Sequence, residues 1–92
     1  MEHLSIKEIH DRLQELNSWE LIGNEISKEF SFHDFKEAME FVQKVGEESE
    51  RWHHHPDIFI RYNRVTLTLT THDEGGLTYK DFKLAKIIEQ LV

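Results

Sequence analysis

Apolar residues along this chain recur with two periods, and the switches between them mark out its elements. Over residues 5–17, Ile6, Ile9, Leu13 and Leu16 fall three or four apart, which predicts a helix with one apolar stripe. Ser5 and Glu8 have capping-box spacing, and Leu4 with Ile9 has the spacing of a hydrophobic staple. Residues 19–22 and 25–32 read as strands around Gly23-Asn24, a pair that tolerates the positive φ of a tight turn. In the second strand Ile26, Lys28, Phe30 and Phe32 share one face, while Glu25, Ser27, Glu29 and Ser31 take the other. The period lengthens again over 33–49, where Phe35, Ala38, Met39, Val42 and Val45 predict a helical face capped by Ser31 or Asp34.

Residues 58–62 and 65–71 predict a second hairpin turning at Asn63-Arg64. Val65, Leu67 and Leu69 alternate with Thr66, Thr68 and Thr70, as in a strand with one buried face and one polar face. After a loop at Asp73-Glu74-Gly75-Gly76, a third helix runs from Thr78 to the C-terminus. Thr78 and Asp81 have capping-box spacing, Leu77 and Phe82 staple spacing, and Leu84, Ile87, Ile88 and Leu91 form the stripe. The order α-β-β-α-β-β-α predicts an α+β fold, a four-stranded antiparallel sheet packed with three helices, in one domain spanning residues 1–92.

Composition narrows the function classes. The net charge of −7 argues against binding a phosphate backbone. There is no cysteine, which removes disulfides, thiolate nucleophiles and cysteine zinc sites. No apolar run reaches the roughly 20 residues of a membrane span. The segment Met1-Glu2-His3-Leu4-Ser5 has no basic region followed by an apolar run, so no secretory signal is expected. The expected setting is soluble and cytoplasmic, with oligomerisation a source of added stability for so small a core.

The densest chemistry is His53-His54-His55-Pro56, with His72 and Asp81 downstream; seven histidines occur in all. Pro56 disfavours the helical region for His55, so the cluster is expected to be extended, with His53 and His55 on one side and His54 on the other. Three readings of the cluster stand open: a solvated link, a metal site completed by His72 and a carboxylate, or an acid–base site. His72 also fits a partly exposed strand end, and Asp81 is accounted for by helix capping alone.

The set Glu50, His54-His55-Pro56, Tyr62, His72 and Asp81 resembles the signature of the pterin-4a-carbinolamine dehydratase family. Glu29-Phe30-Ser31-Phe32 running into Asp34-Phe35 and Ala38 resembles that family's strand-to-helix segment, and Gly76-Leu77-Thr78 with Asp81 and Ala85 its last helix. The resemblance implies dehydration of 4a-hydroxytetrahydropterin to quinonoid dihydropterin, without metal or organic cofactor, in tetrahydrobiopterin recycling beside an aromatic amino acid hydroxylase. It implies His54, His55 and His72 as catalytic histidines and Asp81 as their carboxylate. The pterin would contact His53, His54, His55, Pro56, Thr70, Thr71, His72 and Asp73. It further implies a homodimer formed by sheet continuation, or a dimer of dimers.

Two other roles are known in the family or compatible with it: a dimerisation cofactor of a transcription factor, and a pterin-binding relative in another pathway. Two positions depart from the family pattern. His53 stands where Asp or Asn is expected, and Ser18-Trp19 where a Gly-Trp pair is common.

Overall fold

A computed structural model describes residues 2–92. It contains α1 (Ile6–Leu13), β1 (Glu20–Ile22), β2 (Glu25–Ser31), α2 (Phe35–Trp52), β3 (Asp57–Arg61), β4 (Arg64–Leu69) and α3 (Tyr79–Glu89), with a short 3₁₀ turn at His72–Glu74. The strands form one antiparallel sheet in the order β1-β2-β4-β3. This is the α+β architecture and element order expected from the sequence.

The alternation in β2 and β4 decides which side of the sheet is buried. Ile26 and Phe30 of β2 join Val65, Leu67 and Leu69 of β4 in the core, against Ala38, Phe41 and Val45 of α2 and Phe82, Leu84, Ala85 and Ile88 of α3. The opposite face is polar, and there the cross-strand partners Ser27 and Thr68 hydrogen-bond at 3.1 Å. Phe41 packs between Phe30 and Phe32 with both ring centroids 4.9 Å away. Near the C-terminal end of α3, Glu89 accepts from the Asn17 amide at 2.9 Å, the Trp19 indole at 3.0 Å and Lys28 at 3.3 Å. That carboxylate joins the segment after α1 to β2 and α3, and it explains how Lys28 occupies a core-facing strand position.

Several boundaries differ from expectation. The first helix ends at Leu13 instead of residue 17. The Glu15 amide donates to the Arg12 carbonyl and the Leu16 amide to Leu13, so the last turn tightens and breaks off. α2 starts at Phe35, with Asp34 accepting from the Glu37 amide, while Ser31 stays in β2. It continues past residue 49 to Trp52. Its buried face is Ala38, Phe41, Val45 and Ser49; Phe35 and Met39, placed on that face from their spacing, are exposed. The second hairpin turns at Tyr62-Asn63, not Asn63-Arg64, because Arg61 pairs with Arg64. Asn63 secures the turn by donating its amide to the Phe32 carbonyl at 2.7 Å, and its own carbonyl accepts from the Phe32 amide. β4 ends at Leu69, two residues early, and His72 opens the 3₁₀ turn instead of ending a strand.

Ser18 has φ of 63°, in the left-handed region where a Cβ is disfavoured and glycine is not. The expected Gly-Trp pair thus has a backbone reason. Ser18→Gly should stabilise the fold by about 0.5–1 kcal/mol after the added freedom of the unfolded chain is offset. The measurement is thermal unfolding, where the midpoint should rise by a few degrees; a fall would show that the Ser18 side chain outweighs its strain.

Candidate functional site

Three chain ends meet at one place: the end of α2, the segment leaving β4, and the start of α3. α2 terminates in a Schellman motif, the closure in which a left-handed residue lets the next amides reach back into the helix. The His53 amide donates to the Glu50 carbonyl at 3.4 Å and the His54 amide to the Ser49 carbonyl at 3.1 Å. His53 is the left-handed residue, with φ 53° and ψ 42°. This corrects the extended reading of the cluster. An extended chain would send His53 and His55 opposite to His54, whereas the left-handed turn lets all three line one cleft.

The facing wall of that cleft is Thr70, Thr71, His72 and Asp73, with Lys80 at its edge. Every residue expected to contact substrate lines it except Pro56, which leads out of the cluster into β3. Tyr62 is exposed in the β3–β4 turn and does not line the cleft.

Beneath the cleft sits Asp81, fully buried. Its position follows from the capping box that starts α3: the Thr78 amide donates to Asp81 Oδ2 at 2.9 Å. The Thr71 hydroxyl donates to the same oxygen at 2.8 Å and lies 2.9 Å from the Thr78 hydroxyl. The other oxygen, Oδ1, is 2.5 Å from His54 Nε2. An ionised carboxylate only accepts hydrogen bonds, so this contact places the proton of a neutral His54 on Nε2. Nδ1, which has no protein partner among the described residues, is then the lone-pair nitrogen. His54 itself is only 12% exposed.

His55 is held differently. Its Nε2 lies 2.5 Å from Glu50 Oε2, and both side chains are largely exposed. Hydrogen bonding to His55 holds the Glu50 carboxyl below its ordinary value of 4.5, helped by the charge of His55 and, less, of His53; slight desolvation opposes them. His72 makes no side-chain hydrogen bond within the described residues. Together, the cleft presents three imidazoles: one fixed on a buried carboxylate, one tied to an exposed carboxylate and one unrestrained. Among the described residues, no group of three or more His, Asp or Glu side chains is placed to hold a metal ion.

Sequence reasoning missed the supports of this wall. Thr71 and Thr78 form a hydroxyl relay to Asp81, which spacing cannot show because the two come together only through the Thr71–Gly76 bridge. The N-terminal segment straps the same loop: the Leu4 amide donates to the Leu77 carbonyl at 2.7 Å, and His3 Nδ1 lies 3.2 Å from the Glu74 carbonyl. Gly76 lies under His3, where an added Cβ would sit 3.3 Å from the His3 Cβ.

The fold and cleft define a small α+β domain with a histidine–carboxylate site at the ends of its elements. The family model described as pterin 4 alpha carbinolamine dehydratase matches residues 2–91. A relative from Acidobacterium capsulatum is 53% identical over 92 residues, covering all of both chains. One from Sulfurisphaera tokodaii is 49% identical, covering 100% of this chain and 99% of the relative. Both are provisionally named pterin-4-alpha-carbinolamine dehydratases. The crystal structure of a transcriptional coactivator/pterin dehydratase from Brucella melitensis superposes with a TM-score of 0.93 at 34% identity, covering 97% of each chain. The chain belongs to the pterin-4a-carbinolamine dehydratase family.

The Glu50–His55 contact has a pH consequence of definite sign. Because the folded-state pKa lies below 4.5, the contact stabilises the fold above that pH and is lost as pH falls through the lower folded value. Following the Glu50 carboxyl carbon by NMR should give a midpoint below 4.5 in the wild type and a return toward 4.5 in His55→Ala. Identical midpoints would mean that His55 does not set it.

Proposed function

We propose that this chain dehydrates a 4a-hydroxytetrahydropterin to the quinonoid dihydropterin plus water, using its histidines as acid and base. The observation that carries the reading is His54 on buried Asp81, in one cleft with His55 and His72, in a chain of this family. The reaction is redox-neutral. A base takes the N5 proton, a double bond forms between N5 and C4a, the C4a–oxygen bond breaks, and an acid protonates the leaving oxygen to give water. One neutral and one protonated imidazole satisfy both needs near neutral pH, where histidine populates both forms.

Asp81 acts here through His54. By accepting from Nε2 it turns Nδ1 toward proton exchange and stabilises the imidazolium that forms when Nδ1 takes a proton. Two of His54, His55 and His72 serve as acid and base, and the third orients the ring, with His53, Pro56 and the Thr70–Asp73 segment flanking the pterin. The source of the substrate is an aromatic amino acid hydroxylase, and the product returns to tetrahydrobiopterin recycling. The chemistry assigned to these residues calls for no metal or organic cofactor.

A second copy of the chain is the proposed partner. β3 lies at the edge of the sheet beyond β4, with Ile58 and Phe59 exposed, so its outer backbone groups are available for continuing the sheet into another protomer. The exposed Phe35 and Met39 on α2 provide a second apolar contact for a dimer of dimers. The coactivator role in the Brucella relative's description makes a protein-binding function the alternative, and it would not need the histidines.

Stopped-flow decay of a 4a-hydroxytetrahydropterin separates these roles. The wild type should accelerate loss of the hydroxyl, and His54→Ala should lower that acceleration about 10²–10⁴-fold. Asp81→Asn should also slow it and shift the His54 tautomer seen by ¹⁵N NMR. No acceleration by the wild type would overturn the enzyme reading; acceleration untouched by His54→Ala would overturn the residue assignment. For the assembly, light scattering on the eluting protein should show the wild type as a dimer or larger and Phe59→Asp at lower mass. A monomeric wild type would reject the β3 interface.

A further inference from the structure

The cleft does not end at His54. Beyond its imidazole a second hollow opens, walled by Trp52, Tyr79, Lys80, Lys83 and Leu84. His54 and Lys80 line both hollows, so the two adjoin at these side chains. A third hollow shares Tyr79 and Lys83 with the second and runs on to Arg12 and Lys86.

The trough so formed is cationic in a chain of net charge −7. Lys80, Lys83 and Lys86 come from one helix at spacings of three, which sets them along one side of α3. Their pairing differs along the trough. Lys86 is neutralised by Glu15 at 2.5 Å. Lys83 has no carboxylate partner among the described residues and is held with Nζ 4.0 Å from the Trp52 ring centroid. Lys80, at the rim of the histidine cleft, has no ion pair among the described residues either. Lys80 and Lys83, in the stretch next to His54, are thus free of ion pairs among the described residues, whereas at the far end Glu15 engages Lys86 beside Arg12.

A flat, partly exposed indole and a phenol beside two ammonium groups without ion pairs among the described residues suit a short chain ending in an anion. The aromatic rings cover the chain and the lysines meet its terminus. Lysine is a common point-charge partner for phosphate. The trough adjoins the cleft that the pterin ring would fill, with His54 and Lys80 common to both, so the matching ligand is an appendage of that ring and not a separate macromolecule.

We propose that the Lys80–Lys83 trough is a specificity subsite that favours a pterin whose C6 side chain ends in a phosphate. This deepens the dehydratase reading and rests on it. Lys80 steers the anion past His54, and Lys83, backed by Trp52, holds it. Lys83 lies outside the histidine cleft, so its removal leaves ring binding intact.

The test uses a matched pair of fluorescent probes, 6-(trihydroxypropyl)pterin and its 3′-monophosphate, titrated into the wild type and Lys83→Gln, with inorganic phosphate alone as a competitor. At low ionic strength the phosphorylated probe should bind the wild type roughly three- to tenfold more tightly, the range expected from two exposed charge contacts. That ratio should fall at least twofold in Lys83→Gln and shrink in high salt, while the neutral probe binds both proteins alike. Equal affinities of the two probes for the wild type, or a preference that survives Lys83→Gln, would overturn the subsite and leave the dehydratase reading standing. Phosphate competing as well against the neutral probe would place the anion in the ring cleft and overturn it too. Failure of both probes to bind would remove the pterin reading and the subsite together.

Discussion

A single buried carboxylate joins the three chain segments that meet at the histidine cleft. Asp81 satisfies the first turn of α3, ties the segment leaving β4 through Thr71, and holds His54 at the end of α2. A carboxylate with no solvent exposure is tolerated only when its oxygens are occupied, and here three donors occupy them. Stability and site geometry are therefore the same interaction seen from two sides. Removing the carboxylate would strand a helix amide, a threonine hydroxyl and an imidazole at once.

The three imidazoles differ in how much structure surrounds each. His54 rests on a dry, fully engaged acceptor. His55 leans on an exposed glutamate whose charge is screened by water, and His72 sits on a short 3₁₀ turn with no side-chain hydrogen bond among the described residues. The site thus grades from rigid to free across one cleft, which suits the proposed dehydration, with one well-aimed proton exchange and some accommodation of the departing water.

Local signals were legible in the sequence wherever local chemistry decides the outcome. Both capping boxes, Ser5 with Glu8 and Thr78 with Asp81, form as their spacing indicates. The alternation of Val65, Leu67 and Leu69 correctly marks the buried face of β4. What was illegible depends on contacts distant in sequence. Spacing alone put Phe35 and Met39 in the core, but the side of α2 that is covered is set by the sheet and α3, which choose Phe41 instead. Asp81 was tied to the histidines only through the family resemblance, and to none of them in particular, because no local rule connects His54 and Asp81 across 27 positions. The trough of Lys80 and Lys83 was invisible for a similar reason: it exists only because the start of α3 lies beside Trp52 at the end of α2.

His53 shows what kind of variation such a corner permits. Its positive φ is a conformation that glycine takes freely and that, among other residues, Asn, Asp and His adopt most readily. Where the family pattern leads one to expect Asp or Asn, this chain has His, a member of the same short list. The position is thus constrained by backbone shape while its charge is left open. An acid, an amide and an imidazole are interchangeable there as hinges, although they are unlike as chemical groups. The rim of the cleft can change its electrostatic character by one substitution without moving the residues on either side of it.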